Sequence, residues 1–422
     1  MPAPLRLGLA GLGTVGIGVV RIVQTHADLI AARAGRPVVI TAVSARDPKK
    51  NRDADLSGYA WETDPVALAK RDDVDVFVEV MGGHDGPAKA ATEAAIASGK
   101  DVVTANKALL AHHGQALAEA AEAAGRVIRF EAAVAGGIPV IKALTEGLAG
   151  NRMKRVMGVM NGSCNYILTR MQSANLSYET VFEEARQLGY LEADPNLDVG
   201  GIDAGHKLSL LSAIAFGTQV SFDKVELEGI GSVSIDDINH AQEMGYRIKL
   251  LGVAQESGRG LEQRMTPCLV PADSPLGQLQ GGTNMVVLEG DAVGQIVLRG
   301  AGAGSGPTAS AVMADVLDIA RGIRLPVFGQ PASTLRAPVP AKSATPAPYY
   351  LRMTLLDKPG ALAKIATCLG EAGIFGGLMA SRWQPWGRPQ VVEFRRIANQ
   401  VQMVARNEQY APGSQGPEAL AM

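Results

Sequence analysis

Four carboxylates precede a lysine in one short stretch of this 422-residue chain, and together they are able to bind a cation and move a proton. The carboxylates are Glu192, Asp194, Asp198 and Asp203, and the lysine is Lys207. Asp203 stands where a helix N-cap is expected, before the apolar run 208–216. Lys207, four residues later, falls on the same helix face. A buried lysine beside a carboxylate is suited to acid–base catalysis. We therefore predict a binding site, against the alternative of a solvated, salt-bridged helix start.

The elements that would position this site begin with a nucleotide-binding turn. Leu5 to Ala10 is an apolar strand, Gly11-Leu12-Gly13-Thr14-Val15-Gly16 follows at once, and a helix continues to Ile22. In this context the three glycines are typical of a tight turn that lets a dinucleotide pyrophosphate approach a helix N-terminus. The predicted cofactor-binding residues here are Gly11, Gly13, Thr14, Val15 and Gly16.

The second strand, predicted over Val38 to Val43, indicates which nucleotide is bound. No carboxylate stands at its end, where NAD-specific sites hold the ribose hydroxyls. Arg46, Lys49 and Lys50 follow instead. This favours NADP, with Arg46 on the 2'-phosphate, whereas Asp47 keeps NAD as an alternative.

Further buried strands are predicted at Val74–Val80, Asp101–Thr104 and Val127–Val134. The polar residues Asn106 and Lys107 follow the strand that ends at Thr104. In open α/β sheets, ligands bind at the carboxyl ends of the strands, so Lys107 is a site candidate. The glycine-rich segment 300–310, which includes Gly304, precedes a predicted helix from Ala311 to Arg321 and is a second place for phosphate or nicotinamide.

The acidic stretch resembles the signature segment of homoserine dehydrogenases. The matching residues are Ala185, Gly189, Tyr190, Asp194, Pro195, Asp198, Val199, Gly201, Asp203 and Lys207. Segments 81–83, 104–110 and 161–166 also resemble that family, and the resemblance covers roughly residues 5–374. It implies NAD(P)-dependent interconversion of L-aspartate 4-semialdehyde and L-homoserine in threonine, methionine and isoleucine biosynthesis.

The resemblance also implies roles for individual residues. Lys207 would donate a proton to the substrate oxygen in the reductive direction, and Lys107 would orient that oxygen. Asp203 would adjust the pKa of Lys207. Glu192, Asp198 and Asp203 would hold the substrate. Thr104, Asn106, Lys107 and Gly304 would contact the cofactor. Glu131, Val134, Gly136 and Ile138 would coordinate a sodium ion or another monovalent cation, mainly through backbone oxygens.

The predicted fold is α/β and has several parts. A Rossmann-type dinucleotide-binding domain covers 1–137, and a mixed α+β substrate and dimerisation domain covers 138–300. Residues 301–330 return to the first domain, 331–348 form a Pro/Ala linker, and 349–422 form an ACT-like segment. The ACT-like pattern is recognisable only to about Ile374, which predicts an incomplete module and little response to threonine. The alternative is that Val391–Phe394 and Val401–Val404 supply the missing strands.

Composition narrows the function classes. A net charge of -2 gives no general attraction to nucleic acid or membranes. Cys164, Cys268 and Cys368 are scattered, which favours a reducing cytoplasm and excludes a cysteine metal cluster. A cytoplasmic homodimer or homotetramer is therefore expected. The rival functions are another amino-acid-pathway dehydrogenase of this fold, for which Cys164 would serve as nucleophile, and a non-catalytic cofactor-binding sensor.

Overall fold

The computed structural model describes residues 2–191, 194–342, 350–355, 359–371, 380–381, 390–397, 400–407 and 419–421. The chain divides into two compact units, Met1–Lys342 and Ser343–Met422. Glu192 lies outside the described residues, so its predicted contact with substrate stays a prediction.

The first unit begins with a parallel sheet, as the sequence predicts, and it has six strands where five were predicted, because the short strand Ala60–Glu62 was missed. Its order is β3-β2-β1-β4-β5-β6. The strands are β1 (Leu5–Ala10), β2 (Val38–Ser44), β3 (Ala60–Glu62), β4 (Val76–Glu79), β5 (Asp101–Thr104) and β6 (Ile128–Arg129). The helices among them are α1 (Thr14–Thr25), α2 (Ala27–Ala34), α3 (Pro65–Lys70), α4 (Pro87–Ala97) and α5 (Lys107–Ala123). Every residue of β4 and β5 is buried, because helices cover both faces of a parallel sheet.

The predicted strand from Val127 to Val134 is wrong beyond its first residues. Only Ile128–Arg129 pair in the sheet, and Glu131–Ala133 form a 3₁₀ turn. The Glu131 carboxylate accepts hydrogen bonds from the amides of Ile141 and Lys142 at 2.9 and 2.8 Å. These amides lie in α6 (Val140–Lys142), which continues as a π-helical turn over Ala143–Gly147. The chain therefore leaves the sheet early to satisfy a helix N-terminus.

The second sheet is mixed and has the order β12-β11-β7-β9-β10-β8. Its strands are β7 (Met153–Val159), β8 (Glu226–Leu227), β9 (Tyr246–Ser257), β10 (Gly260–Pro271), β11 (Thr283–Gly290) and β12 (Gly294–Ala301). The accompanying helices are α7 (Gly162–Ala174), α8 (Tyr178–Gln187), α9 (Asn196–Val199), α10 (Ile202–Phe216) and α11 (Ile235–Glu243). Buried Val159, Leu251, Val253 and Val287 belong to one apolar cluster of this sheet.

The start of α10 differs from the sequence prediction. Gly201, with φ 80°, is the N-cap, and Asp203 is the second residue of the helix. Glycine adopts this left-handed conformation without steric cost, so the helix begins at Ile202, two residues before the start that an Asp203 N-cap would give. The Asp203 side chain is thereby free of a capping role. The predicted loop before it also contains the short helix α9.

The chain then returns to the parallel sheet through α12 (Ser305–Ala320). The Ser305 hydroxyl donates to the Thr14 carbonyl at 2.8 Å. A Cβ on Gly18 of α1 would lie 2.6 Å from the Ser305 carbonyl oxygen, so the two helices approach at backbone distance. Among the described residues, no single helix is long and apolar enough to cross a membrane, and α1 with α2 passes that test only as a pair bent by 84°.

The first half of the predicted linker is part of the first unit. Ala332 and Leu335 are buried. Leu261 on β10 donates its amide to Val339, and Ala341 donates its amide back to Leu261, at 2.8 and 2.9 Å. The division between the units falls after Lys342, inside the predicted linker.

The second unit contains a five-stranded sheet of order β14-β16-β15-β13-β17. Its elements are β13 (Tyr350–Leu355), α13 (Ala361–Glu371), β14 (Ala380–Ser381), β15 (Gln390–Ile397), β16 (Gln400–Asn407) and β17 (Ala419–Ala421). Strands β15 and β16 lie where the alternative placed them, which favours that alternative over a module that stops near Ile374.

We predict that a chain ending at about residue 345 keeps its dehydrogenase activity. Every candidate catalytic and cofactor-binding residue precedes Pro307, and the contacts of residues 332–341 stay within the retained unit. Activity and thermal unfolding of the truncated and full-length proteins would check this.

Threonine titration of the same two proteins tests whether the second unit responds to threonine. The sequence predicts little difference between them. Strong inhibition of the full-length protein that is lost on truncation would contradict that expectation and identify the second unit as a working effector module.

Candidate active site

A cavity of about 820 Å³ in the first unit brings together half of the predicted site residues. It lies where the glycine turn, the carboxyl ends of β4 and β5 and the start of α10 meet. The predicted residues that line it are Thr14, Val15, Asn106, Lys107, Gly136, Asp198, Asp203, Lys207 and Gly304. Cofactor and substrate candidates from distant parts of the chain therefore share one space.

Asp203 connects the two candidate catalytic lysines. One carboxylate oxygen lies 2.8 Å from Lys107 Nζ, and the other lies 2.7 Å from Lys207 Nζ. Lys207 also donates to the Met160 carbonyl at 2.8 Å. Burial alone would raise the pKa of Asp203, but the ammonium groups of Lys207 and Lys107 hold it well below its usual value. Asp203 therefore stays ionised and fixes both amines.

Asp198 is a buried carboxylate on the same cavity. Asn161, the N-cap of α7, accepts a hydrogen bond from the Cys164 amide and donates its side-chain amide to Asp198 Oδ1 at 2.9 Å. The Cys164 thiol donates to the Asp198 carbonyl at 3.3 Å. Burial raises the pKa of this thiol well above its ordinary value. Cys164 is therefore a poor nucleophile, which argues against the rival dehydrogenase that would use it.

An aromatic wall adjoins the two undescribed residues at 192 and 193. Tyr190 stacks on Tyr166 with ring centroids 4.3 Å apart. The Ser163 hydroxyl donates to the Tyr190 carbonyl at 2.5 Å. Tyr190 and Ser163 both line the cavity.

The glycine turn has the geometry that a pyrophosphate requires. A Cβ on Gly16 would lie 1.9 Å from the Gly11 carbonyl oxygen, so only glycine permits this packing. A Cβ on Gly13 would meet no atom within 4 Å, which means that the space above the turn is open. Gly13 is also the N-cap of α1. This geometry leaves room for a dinucleotide at the turn, and the contact of these residues with the cofactor stays a prediction.

A buried acid that the sequence analysis missed connects the ends of β4 and β5 beside the cavity. Glu79, at the end of β4, accepts hydrogen bonds from the Thr104 hydroxyl at 2.6 Å and the Met81 amide at 2.7 Å. Asn106 caps α5 and donates to the Gly83 carbonyl at 2.7 Å. The predicted cofactor residue Thr104 therefore positions its neighbours and is not among the residues that line the cavity. Burial raises the pKa of Glu79, against the effect of these donors.

The basic loop after β2 is exposed at Arg46 and is held by a second arginine. Arg52 donates to the carbonyls of Leu12, Lys50 and Asp47 at 3.2, 2.9 and 2.7 Å. It also lies 5.4 Å from the centre of the Trp61 ring. Arg52 thus ties the loop that carries Arg46 to the glycine turn. The sequence analysis missed this role, because a lone arginine shows no pattern.

The predicted cation residues form a tight buried turn. Ala135 and Gly136 are consecutive left-handed residues, with φ 56° and 53°. Both Glu131 carboxylate oxygens accept backbone amides of α6, so the turn offers carbonyl oxygens rather than a carboxylate. Among the described residues, no group of three or more His, Cys, Asp or Glu side chains has a metal-binding arrangement.

Histidines beside the lysines were also missed by the sequence analysis. His206 and His84 line the cavity. The His112 ring lies 4.4 Å from His84 and 5.4 Å from His206. Burial, followed by the charge of His112, lowers the pKa of His206 to about 4. His206 is therefore neutral at physiological pH and adds no charge beside Asp203.

Comparison with known proteins points to one family. The family model for the NAD-binding domain of homoserine dehydrogenase matches residues 11–131, and the homoserine dehydrogenase model matches residues 139–317. The homoserine dehydrogenase of Neisseria gonorrhoeae is 44% identical over 378 residues, covering 88% of this chain and 86% of the relative. That of Bacillus subtilis is 39% identical over 376 residues, covering 88% and 86%.

A solved structure agrees with these sequence matches. The crystal structure of a homoserine dehydrogenase from Thiobacillus denitrificans is 37% identical and superposes with a TM-score of 0.86. The match covers 96% of this chain and 99% of that chain.

Proposed function

This chain belongs to the homoserine dehydrogenase family of NAD(P)-dependent oxidoreductases, and we propose that the cavity around Asp203 interconverts L-homoserine and L-aspartate 4-semialdehyde. The observation that carries this assignment is the contact of one carboxylate with Lys107 and Lys207, in the same space as the glycine turn. A binding-only sensor does not need two amines held at one point.

The cofactor, when bound, supplies the hydride acceptor and donor. In the oxidative direction the hydride leaves the hydroxyl-bearing carbon of homoserine, and the hydroxyl proton passes to the Lys207 amine. In the reductive direction Lys207 returns that proton to the aldehyde oxygen. Lys107 orients the same oxygen through its Nζ, and Asp203 keeps both amines in place. In both directions the proton therefore moves between the substrate oxygen and Lys207 Nζ.

The substrate ammonium group is assigned to carboxylates at the other side of the cavity. Asp198 is 5% exposed and oriented by Asn161. Glu192, close in sequence to the cavity-lining Tyr190, is the second candidate. A buried carboxylate that meets a desolvated ammonium gives strong, specific binding.

The preferred cofactor is proposed to be NADP, with NAD as the alternative. β2 ends at Ser44 without a carboxylate, and Arg46 follows in the exposed loop that Arg52 anchors. A guanidinium in this position matches the geometry of a 2'-phosphate.

The turn from Glu131 to Ile138 is proposed to hold a sodium ion or another monovalent cation. Backbone carbonyl oxygens are hard ligands of the type that such cations prefer, and the consecutive left-handed residues Ala135 and Gly136 bend the backbone there. Activity that is unchanged when sodium and potassium are replaced by choline would remove the cation from this proposal.

The enzyme is further proposed to be a cytoplasmic homodimer or homotetramer, with threonine as the effector of the second unit. Three free thiols suit a reducing compartment. Val293 and Val297, at the edge hairpin of the second sheet, are each 39% exposed, and exposed apolar groups at a sheet edge favour association. Light scattering that shows a monomer would contradict the assembly.

We predict that Lys207→Ala lowers turnover of homoserine by about 10²- to 10⁴-fold, the usual contribution of a positioned acid or base. Cofactor binding should stay near normal, because the glycine turn is untouched. Steady-state rates with a panel of amino alcohols, together with NADP titration, would check this and the substrate assignment.

Lys154→Ala is the matched control, since Lys154 is an exposed lysine on β7. Near-native turnover of Lys207→Ala would mean that another group transfers the proton. Faster oxidation of a different amino alcohol would move the substrate assignment away from homoserine.

We predict that Arg46→Ala weakens NADP binding by about tenfold, as expected for a lost charged hydrogen bond, and changes NAD binding little. Michaelis constants for both cofactors measure this preference, with exposed Arg33→Ala as the control. Equal losses for the two cofactors would show that Arg46 does not contact the 2'-phosphate.

A further inference from the structure

A buried lysine outside the reacting centre is bound by neutral groups. Lys249 on β9 is 3% exposed, and Asn165 near the start of α7 is 1% exposed. Lys249 Nζ donates to Asn165 Oδ1 at 2.8 Å and to the Leu279 carbonyl at 2.5 Å. A buried ammonium is costly unless hydrogen bonds replace its hydration. The position therefore requires both acceptors to stay in place.

Asn165 extends this contact along the same segment of chain. Its side-chain nitrogen donates to the Gly281 carbonyl at 2.7 Å and to the Thr283 carbonyl at 3.5 Å. Two side chains thus hold three carbonyl groups between residues 279 and 283. We call Lys249 and Asn165 the clamp, and residues 279–284 the wall segment.

The wall segment borders the active-site cavity. Gly282 and Asn284 both line it. A Cβ on Gly162 would lie 2.6 Å from the Gly282 carbonyl oxygen, and one on Gly282 would lie 3.4 Å from the Tyr190 ring. Asn284 is 1% exposed, and its Oδ1 is buried without a hydrogen-bond partner among the described residues. A displaced wall segment would therefore change the side of the cavity that Ser163 and Tyr190 form.

On the basis of the proposed function, we propose that Lys249 and Asn165 are positioning residues that hold the wall segment in place and thereby set the affinity for homoserine. The clamp touches neither the glycine turn nor Asp203. Its effect should therefore appear in substrate binding and not in the proton-transfer step.

The charge on Lys249 gives the clamp a pH dependence. Burial, together with the charge of Arg247 on the same strand, lowers the pKa of Lys249 to about 8. Cys268 lies opposite on β10, and burial raises the pKa of its thiol, so it stays neutral. On α11, which packs against β9, Asp237 accepts a hydrogen bond from the Ser234 amide.

Deprotonation of Lys249 weakens the clamp, although the same group makes the whole fold more stable as the pH rises. Above about pH 8 the bonds to Asn165 and Leu279 lose their charge assistance, so the Michaelis constant for homoserine should rise. Because the folded-state pKa is below the unfolded value, the unfolded chain binds more protons between the two. This group therefore makes global stability increase with pH in that range. A loosened wall segment is thus distinguishable from general unfolding.

The test uses the full-length chain with Lys249→Met and Asn165→Asp. We expect Lys249→Met to raise the Michaelis constant for homoserine about tenfold, to leave kcat within about threefold, and to abolish the rise above pH 8. Asn165→Asp keeps an acceptor for Lys249 but removes the donor to Gly281. It should also raise the Michaelis constant, while the added carboxylate moves the alkaline rise to higher pH.

Hydrogen exchange of peptides that cover the wall segment, measured without substrate, reports on the clamp independently of activity. Both variants should exchange faster there, and Lys154→Met on β7 should behave as wild type. Unchanged exchange, or faster exchange with an unchanged Michaelis constant, would overturn the proposal. A fall in kcat alone would do the same.

Should Lys249→Met fail to fold, Asn165→Asp decides by the same criteria. Failure of the wild-type protein to reduce NADP or NAD with homoserine would instead contradict the proposed function. The exchange measurement would then still show whether the clamp holds the wall segment.

Discussion

The reacting end of the cavity depends on the carboxylate of Asp203. Two ammonium groups this close would repel each other strongly in a buried site without an anion between them. Lys107 begins α5 at the edge of the parallel sheet, and Lys207 lies on α10 beside the mixed sheet. The bridge therefore also fixes how these two parts of the first unit meet. Catalytic geometry and packing are coupled through one side chain.

Other buried polar groups hold the backbone around the same cavity. Glu79 connects the ends of β4 and β5 through Thr104 and the Met81 amide. Asn161 connects α7 to the carboxylate of Asp198. None of these groups needs to react. They hold backbone turns in place by hydrogen bonding. Without these side chains, each turn would leave a buried donor or acceptor without a partner.

The sequence predicts the parts of the fold that local patterns determine. The bounds of β1 and β5 agree with the structure, because each apolar run ends at a glycine or polar turn. Where distant contacts decide, prediction fails. The chain leaves β6 early because Glu131 satisfies amides ten residues away, and α10 begins at Ile202 because Gly201 caps it. Glu79, Arg52 and Lys249 show no periodic signal, since a lone charge in an apolar strand resembles an exposed one. In the second unit, β15 and β16 lie where the less favoured alternative placed them.

The buried acids of this unit have pKa shifts of opposite sign, because their partners differ. Burial and the nearby Asp315 raise the pKa of Glu131 to about 7, and burial raises that of Asp315 to about 6. The folded chain thus binds more protons than the unfolded chain between about pH 4 and 7, so these two groups make stability fall as pH rises through that range. Asp203 is also buried, but two ammonium groups depress its pKa. Its contribution to stability is present above the ordinary carboxyl pKa and is lost only as pH falls below it. The Asp203 carboxylate is therefore kept ionised by its two lysine partners at a pH where an ordinary carboxylate takes up a proton, whereas Glu131 and Asp315 take up protons at a higher pH than ordinary carboxylates do.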